Sequence, residues 1–522
     1  MQRRMVTGWA LLVRLALVMT VLCLSTTLLA STVESAGLGR FLLVPLNELP
    51  GGDYEPDSPF ALTPDERTVV YSQGNELFSI PVSGGTPRHL ATCVDRKFRI
   101  SADGRLVVCA RFVMAVPTDA NQYSTDHYEL VSMPVNGGKP NVLATFAPRI
   151  DAAWVDLEGM SPDSKWIAYA TEGRIDVAPL SGGETETVAA MKTTGGGTPD
   201  ALVRFSPDSG TLLYLQSLDL SSSGGTLFTV PRTGGTPVQL VGPKDLPAIY
   251  DYRFAPDSSR IIVVFWDEGW ASNGLFEIYS FPKEGGEGVR LSASHERYLE
   301  EASMRFEFLP DGAHLVYASW DDAEKRHKLI TVAVDGSERA VLVTADGPAQ
   351  LLHLERSAGA GTLLYSVLGS QGKAFYSTPI ADGAPVQLTP PFSNLYGQIQ
   401  VDASGSLAVL VGEDWNGFSS TYSVYVVPVG GGEMRLLARS EGPIARLGLS
   451  SDGSRAFYEV ATTGVKLYRV PTSGGDPEYM GLDDAREFRV VEAGERVLVQ
   501  TSSGFYALVE ASEAHFLPLM QY

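Results

Sequence analysis

Short apolar runs of four or five residues recur along the chain beyond residue 60, and turn-forming residues bound each of them. Clear examples are Thr68 to Tyr71, Trp166 to Ala170, Thr211 to Leu215, Ile261 to Phe265 and Leu315 to Ala318. Runs of this length that are rich in Val, Ile, Leu and aromatic residues are typical of buried strands, because a helix needs a longer periodic segment. The pattern therefore predicts an all-β protein of many short strands.

A turn built on Pro-Asp or Asp-Gly precedes most of these runs. Its clearest copies are Thr63-Pro64-Asp65, Ala102-Asp103-Gly104, Ser161-Pro162-Asp163, Ser206-Pro207-Asp208, Ala255-Pro256-Asp257, Leu309-Pro310-Asp311-Gly312 and Ser451-Asp452-Gly453. Weaker copies stand at Ser357 to Gly361, Ala403-Ser404-Gly405 and Ala493-Gly494. Proline presets φ, aspartate can bond its own backbone, and glycine supplies positive φ, so each copy predicts a tight reversal of the chain. Ten copies predict ten repeats.

A second signal lies between these turns: a strand that contains proline, followed by a glycine-rich hairpin. It occurs at Leu77 to Gly85, Leu130 to Gly138, Val177 to Gly183, Leu227 to Gly235, Ile278 to Gly286, Val424 to Gly432 and Leu467 to Gly475, with reduced versions at Asp335-Gly336 and Asp382-Gly383. Since proline cannot donate to a strand ladder, we expect it near the end of its strand.

Each repeat thus reads as strand, Pro-Asp turn, strand, variable loop, strand, Gly-Gly turn, strand, over roughly 45 to 50 residues. One such four-stranded antiparallel sheet cannot bury both of its faces. Sheets that pack radially around an axis bury each other's faces, which is the β-propeller arrangement. The predicted fold is a β-propeller of about ten four-stranded antiparallel blades, in one large ring or in two smaller propellers.

The repeat resembles that of TolB and of the propeller domains in the prolyl oligopeptidase family. The strings that carry the resemblance are S-P-D-S from Ser161 and V-P-R-T-G-G-T-P-V-Q-L from Val230 to Leu240. The resemblance covers nearly all of residues 37–522 and implies the propeller fold, but these residues are structural and imply no activity. The serine, aspartate and histidine of prolyl oligopeptidases have no matching positions here, and the α/β domain that precedes the propeller in TolB is not expected.

The two ends of the repeat region are expected to meet. Phe41 to Gly52 reads as a strand and a Gly-Gly turn without a first half, so it can complete a last blade that spans roughly Arg489 to Leu519. If there are two rings instead of one, we expect the boundary near residues 287–300.

Residues 1–30 have the pattern of a secretory signal peptide, with Arg3 and Arg4 before an apolar stretch that continues without charge from Leu15 to Ala30. An uncleaved membrane anchor is the alternative interpretation. The protein is therefore expected to be exported, to the periplasm, the cell envelope or the extracellular space, and to meet a membrane only through this segment.

Charge and cysteine content narrow the function classes further. The 522 residues contain 61 acidic and 40 basic side chains, a formal net charge of −21 that disfavours nucleic acid as a partner. Beyond the N-terminal segment only Cys93 and Cys109 remain, too few for a disulfide-built scaffold or a four-cysteine zinc site. A single bridge is chemically feasible in an oxidising compartment, but Cys109 lies in a predicted strand, where we expect a buried free thiol.

Candidate binding residues lie in the loops between second and third strands, which are the variable part of the repeat. Alternating hairpins put both recurring turns on one rim of the ring and these loops on the other. Three of the loops place carboxylates beside tryptophan at the same position: Asp267, Glu268 and Trp270; Trp320, Asp321 and Asp322; Glu413, Asp414 and Trp415. Such loops suit a cationic group, a sugar ring or a metal ion. The alternative is that the tryptophans cap the sheets and the acids face solvent.

Catalytic motifs are absent from the sequence: there is no G-x-S-x-G elbow, P-loop, dinucleotide fingerprint or calcium loop, and the seven histidines show no ligand spacing. The leading hypothesis is a non-enzymatic binding or scaffold protein that uses one propeller face to recognise a protein, a peptide or a glycan. No cofactor is predicted, although a divalent cation stays open. The alternatives are a hydrolase or lyase with a site at the channel mouth, with or without a metal ion, and a purely structural repeat protein.

Overall fold

The computed structural model describes residues 41–45 and 60–510 of the chain, with the exception of 95–96, 115–125, 147–158, 172, 192–202, 218–224, 243–247, 267–275, 295, 298–305, 346–348, 356–360, 381–383, 393–398, 416–417, 441, 462–463, 482–484, 486, 492–495 and 502–503. The predicted signal segment lies outside the described residues. Within them, no helix is long and apolar enough to span a membrane.

The described residues form 40 strands. In chain order these are β1 (Phe41–Pro45), β2 (Phe60–Leu62), β3 (Thr68–Gln73), β4 (Glu76–Pro81), β5 (Arg88–Thr92), β6 (Phe98–Ile100), β7 (Leu106–Val113), β8 (His127–Pro134), β9 (Asn141–Phe146), β10 (Trp166–Thr171), β11 (Arg174–Pro179), β12 (Glu186–Ala190), β13 (Val203–Phe205), β14 (Thr211–Ser217), β15 (Gly225–Pro231), β16 (Val238–Val241), β17 (Ala248–Phe254), β18 (Arg260–Trp266), β19 (Phe276–Pro282), β20 (Val289–Arg290), β21 (Glu296–Arg297), β22 (Phe306–Phe308), β23 (His314–Asp321), β24 (Arg326–Ala333), β25 (Arg339–Ala345), β26 (Ala349–Glu355), β27 (Thr362–Gly369), β28 (Gly372–Pro379), β29 (Val386–Gln387), β30 (Ile399–Val401), β31 (Leu407–Trp415), β32 (Ser420–Pro428), β33 (Arg435–Ser440), β34 (Ile444–Leu449), β35 (Arg455–Ala461), β36 (Val465–Pro471), β37 (Glu478–Tyr479), β38 (Glu487–Val491), β39 (Arg496–Thr501) and β40 (Gly504–Glu510).

These strands form ten antiparallel sheets, numbered here in chain order, and most have four strands. Their strand orders are β2-β3-β4-β5, β6-β7-β8-β9, β10-β11-β12, β13-β14-β15-β16, β17-β18-β19-β20, β21-β23-β24-β25 with β22 also paired to β23, β26-β27-β28-β29, β30-β31-β32-β33, β34-β35-β36-β37 and β38-β39-β40-β1. In sheet 3 the described part of the first-strand position is a bridge between Met160 and Ile167. The all-β class and the count of about ten blades are confirmed.

Both faces of each sheet are buried, which explains why the second strands read as continuous apolar runs rather than as an alternation. In β3, Val70 packs into the core between sheets 1 and 2, whereas its neighbours Val69 and Tyr71 pack into the core between sheets 10 and 1. All three side chains are at most 1% exposed. Burial of such a side chain stabilises the folded state by about 1.5 to 3 kcal/mol.

The hydrophobic cores connect the sheets in one closed cycle. Ten clusters are each shared by two successive sheets, and the tenth returns from sheet 10 to sheet 1, where Val491 and Leu498 pack with Val69 and Ile80. Sheets 5 and 6, which flank residues 287–300, share a core of their own. The described cores therefore form the cycle of a single ten-bladed ring.

The N-terminal strand completes the last sheet. β1 pairs antiparallel with β40 from Phe41↔Glu510 to Pro45↔Tyr506. As predicted, the beginning of the repeat region joins its end, and β1 takes the fourth, outermost place in sheet 10. Because β1 and β40 pair within one sheet, the first and last described strands close the ring of sheets.

The recurring turns occupy one rim of the ring, which we call the turn rim. It consists of the first-to-second-strand turns, such as 161–165 and 206–210, and the third-to-fourth-strand turns, such as 180–185 and 334–338. The prolines of the third strands fall at the strand ends, as expected, where the Pro81 carbonyl accepts a 2.9 Å bond from Gly84 N. The opposite rim, the loop rim, holds the second-to-third-strand loops and the connections between sheets.

Cys93 and Cys109 form a disulfide with a Cα–Cα distance of 5.9 Å. Cys93 directly follows β5 and Cys109 lies in β7, so the bridge joins sheets 1 and 2. The expectation of a free thiol at Cys109 is wrong, because strands 16 residues apart in sequence face each other across the core that these two sheets share.

Candidate functional site

The loop rim varies from sheet to sheet, whereas the turn rim repeats. Only two residues separate β3 from β4, four separate β23 from β24, and thirteen separate β7 from β8. In contrast, five residues separate the first from the second strand in seven of the sheets. The rim that varies on a constant frame is the place where recognition residues are expected.

In sheet 6, Asp321 ends β23 and holds the hairpin that follows. Its Oδ1 accepts bonds from the backbone N–H groups of Ala323, at 2.9 Å, and Glu324, at 3.0 Å. Its Oδ2 accepts a 2.7 Å bond from Lys328 Nζ. Burial raises the pKa of Asp321, but these bonds outweigh burial and lower it to about 2. At 2% exposure, Asp321 is a buried anion that its own hairpin satisfies.

Trp320 and Asp322 flank this buried carboxylate. The Trp320 ring lies against the ring of His327, its cross-strand partner, with centroids 4.8 Å apart. Trp320 Nε1 donates a 3.0 Å bond to Asp322 Oδ1, and Lys325 Nζ lies 3.4 Å from the same oxygen. Burial lowers the pKa of His327, so this histidine is neutral at physiological pH. The hairpin presents a half-buried indole beside a partly exposed carboxylate.

The equivalent hairpin of sheet 8 has a similar division of roles. Glu413 is 8% exposed and accepts a hydrogen bond from Ser420 Oγ, whereas Asp414 is exposed. Trp415 is the last residue of β31 and pairs with Ser420, and its side chain lies outside the described residues. Phe418, in the loop itself, is 95% exposed.

The third predicted group, Asp267, Glu268 and Trp270 in sheet 5, lies outside the described residues. So do residues 115–125 of the thirteen-residue loop between β7 and β8. At the described ends of that long loop, Met114 is 75% exposed, and His127 Nε2 lies 3.4 Å from Glu129 Oε1. The two described groups, in sheets 6 and 8, belong to sheets that are not adjacent in the ring.

Sheet 6 also contains a buried polar cluster that the sequence did not predict. Glu296 is 2% exposed and accepts bonds of 2.8 Å from the Tyr317 hydroxyl and from Ala293 N, and it forms an ion pair with Arg339. Burial first, and then the Glu296 charge, raise the pKa of Tyr317. Glu296 is also the register partner of Asp321 across β21 and β23. No local motif marks it, because its partners come from distant parts of the chain.

Three acids of the loop rim, in sheets 6 and 8, are buried. Asp321, Glu413 and Glu296 are held by partners within their own sheets, and in sheet 6 the partly exposed carboxylate of Asp322 stands beside the Trp320 ring. In the part of the chain that the structure describes, no group of three or more His, Cys, Asp or Glu side chains is arranged to hold a metal ion.

Comparison with known proteins adds the following findings. No protein-family model matches the chain, and no curated protein matches it. Among solved structures, dipeptidyl peptidase 4 of Porphyromonas gingivalis has a TM-score of 0.45 at 12% identity, over 86% of this chain and 65% of the peptidase, just under two thirds of its length. A eukaryotic initiation factor has a TM-score of 0.45 at 10% identity, over 90% of this chain and 98% of its own. A TolB protein from Agrobacterium tumefaciens has a TM-score of 0.27 at 19% identity, over 48% of this chain and 83% of its own.

This chain has the fold of a β-propeller. That statement depends on the ten sheets and the recurring turns of the chain itself. At these identities and TM-scores the similar structures bear on neither activity nor partners.

Proposed function

We propose that the protein is an exported, non-enzymatic binding protein that engages a protein, peptide or glycan partner through its loop rim. The observation that carries the proposal is the contrast within the hairpins of sheets 6 and 8. In each, one acid is buried and fixes the loop, while the next acid along the chain, Asp322 or Asp414, reaches solvent. A fixed loop that presents a carboxylate beside an aromatic ring costs little conformational entropy on binding.

Export is supported by two features of this chain. The N-terminal residues 1–30 have the signal-peptide pattern. The Cys93–Cys109 disulfide joins two blades, and structural disulfides persist in oxidising compartments such as the periplasm or the extracellular space.

The experiment is a binding screen of the purified protein against arrays of peptides and glycans. The test variant changes Trp320, Asp322 and Asp414 to Ala. A matched control changes Glu184 and Glu433, two exposed acids on the turn rim, to Ala and so removes the same number of carboxylates. We expect the test variant to lose the ligand that the wild type binds and the control to keep it, with circular dichroism reporting intact sheets for both.

Two results would contradict the proposal. One is equal loss of binding in the test and control variants, since recognition would then follow overall charge and not the loop rim. The other is turnover in a broad hydrolase and lyase screen that disappears in the test variant, which would make the loop rim a catalytic surface.

A further inference from the structure

A second surface of the ring, distinct from the loop rim, is formed by the first strands of the sheets. Successive first strands contact each other directly, as in β26 with β30, β30 with β34 and β34 with β38. Fourth strands instead contact the third strands of the next sheet, as in β12 with β15 and β33 with β36. Neighbouring sheets in a radial arrangement converge toward the axis, so the first strands form the inner surface of the ring.

One position on the inner surface is rich in arginine. It is the first-strand residue that pairs with the third residue of the second strand. In four sheets this residue is an arginine, and the pairs are Arg99 with Val108, Arg204 with Leu213, Arg253 with Ile262 and Arg489 with Leu498. Among the other described sheets, one has a carboxylate at this position, which is Glu307 of sheet 6. The whole chain is strongly acidic, with 61 acidic against 40 basic residues. Arginine is therefore concentrated at this inner-surface position, although acidic residues outnumber basic ones in the chain as a whole.

These arginines lie at the water-facing side of the first strands. Arg99 and Arg489 are exposed, whereas the residues on either side of them are partly or fully buried. Arg446, in β34 of sheet 9, is also exposed, and its Nη1 lies 3.6 Å from Glu459 Oε2. Sheets 9, 10 and 2 are thus close together in the ring and each supplies an exposed guanidinium.

In sheets 4 and 5 the guanidinium groups are held in place by the next first strand. Arg204 lies over the ring of Tyr252 at 5.0 Å, and its Nη1 donates a 2.8 Å bond to the Tyr252 carbonyl. Arg253 lies over the ring of Phe306 at 4.9 Å. Asp251 is 2.8 Å from Arg253 Nη2 and 4.0 Å from Arg204 Nη1. One carboxylate is thus already accommodated between two guanidinium groups.

The backbone of the inner surface favours an extended peptide over other anions. Apart from sheet 3, whose described first-strand position is only the bridge at Met160, the first strands stand at the end of the strand order and have described ladder partners on one side only. The bond from Arg204 to the Tyr252 carbonyl shows an inner-strand oxygen accepting from outside its own sheet. An extended peptide can pair with such an edge through its main chain, while alternate carboxylate side chains meet the guanidinium forks.

We propose that the inner surface of the ring binds an acidic peptide in an extended conformation, through Arg99, Arg204, Arg253, Arg446 and Arg489. The arginine side chains on the first strands attract carboxylates to the inner surface. This site lies apart from the loop rim, so the proposal of peptide binding is tested separately from the proposed function.

The test is fluorescence anisotropy of a labelled oligo-glutamate peptide with the full chain. The test variant is Arg99→Gln with Arg489→Gln, and the matched control is Arg67→Gln with Arg105→Gln, two exposed arginines on the turn rim. Both pairs change the net charge equally. We expect the test pair to weaken binding by about tenfold or more, since two charge-assisted contacts are lost, and the control pair to change it by less than about twofold.

Further arms separate the peptide from other polyanions. An alternating Glu-Pro peptide carries carboxylates but lacks half of the main-chain donors, so it should bind more weakly than oligo-glutamate. The proposal is overturned if oligo-glutamate does not bind, if the control pair loses as much affinity as the test pair, or if the Glu-Pro peptide or an oligogalacturonate binds as tightly as oligo-glutamate. The Trp320→Ala variant should leave this binding unchanged, and thermal unfolding checks that each variant is folded.

Discussion

The turn rim and the loop rim terminate the same strands at opposite ends, yet they differ in how they are held. On the turn rim, Asp163 N donates to Ser209 Oγ of the next sheet at 3.1 Å, and Asp208 N donates to Ser258 Oγ at 3.0 Å. The same bond recurs between Asp103 and Ser164 at 2.9 Å. On the loop rim each described hairpin is stabilised in its own way.

The turn rim explains why serine occupies a strained position in the S-P-D-S string. Ser164, Ser209 and Ser258 have φ values of 60°, 60° and 64°, in the left-handed region that costs an ordinary residue roughly 1 kcal/mol. The hydroxyl of each accepts the bond from the preceding sheet, which offsets that strain. The repeated residues thus join neighbouring blades, whereas residues that differ between sheets, such as Asp321, stabilise a single hairpin.

The largest expected effect comes from a structural residue on the loop rim. Asp321→Ala should lower the free energy of unfolding by about 3 kcal/mol, because it removes two hairpin bonds and deprives the buried Lys328 of a partner. Asp322→Ala, one residue further on, should change it by less than about 0.5 kcal/mol. Chemical denaturation measures both values. Equal effects would contradict the distinction between Asp321, which stabilises the hairpin, and Asp322, which reaches solvent.

Removal of the disulfide tests how much the covalent link adds to the packing between sheets 1 and 2. Cys93→Ser with Cys109→Ser should cost about 3 kcal/mol, as expected for closure of a loop of this length. Treatment of the wild type with a reducing agent should give the same loss. A change below about 1 kcal/mol would indicate that the packing of the two sheets holds this interface without the bridge.

A pair of glycine variants compares the rims directly. Gly336, on the turn rim, has φ of 79°, and a Cβ there would lie 2.5 Å from Val289 of the neighbouring sheet, whereas Gly74, on the loop rim, has φ of 57° and open space around it. Gly336→Ala should cost about 2 to 3 kcal/mol and Gly74→Ala about 1 kcal/mol, the latter from backbone strain alone. Thermal unfolding distinguishes them, and similar costs would contradict close contact between turns of adjacent sheets.

The smallest effect, repeated in many sheets, concerns pH. Burial raises and hydrogen bonds lower the pKa values of Asp103, Asp163 and Asp208, and the net shift is downward. Groups with lowered folded pKa values contribute stability above the unfolded value of about 4, and this stability is lost as pH falls through the folded values.

Denaturation at a series of pH values should therefore show stability falling below about pH 4. Asp103→Asn, Asp163→Asn and Asp208→Asn together should flatten that fall. Each should lower stability slightly at neutral pH, where the carboxylate accepts bonds such as that from Gly210 N at 2.9 Å. A triple variant with an unchanged pH profile would show that other carboxylates control acid unfolding.

Much of the candidate site lay beyond sequence reasoning. The sequence placed Trp320, Asp321 and Asp322 together on one loop, whereas in the structure Trp320 and Asp321 end β23 and only Asp322 lies in the loop. Their separate roles depend on the burial of Asp321 and on Lys328, which lies seven residues after Asp321 in the next strand. Glu296, Tyr317 and Arg339 were missed because they come from three strands that meet only after the sheet forms.

The sequence by itself determined the local elements of this protein, namely the two recurring turns, the apolar strands between them and the number of repeats. Turn chemistry and side-chain alternation act over a few residues, so they can be read directly from the chain. Only the tertiary structure decided the single closed cycle of cores, the Cys93–Cys109 bridge and the arginine position on the inner surface. Each of these depends on packing between sheets, which brings together residues that no local pattern connects.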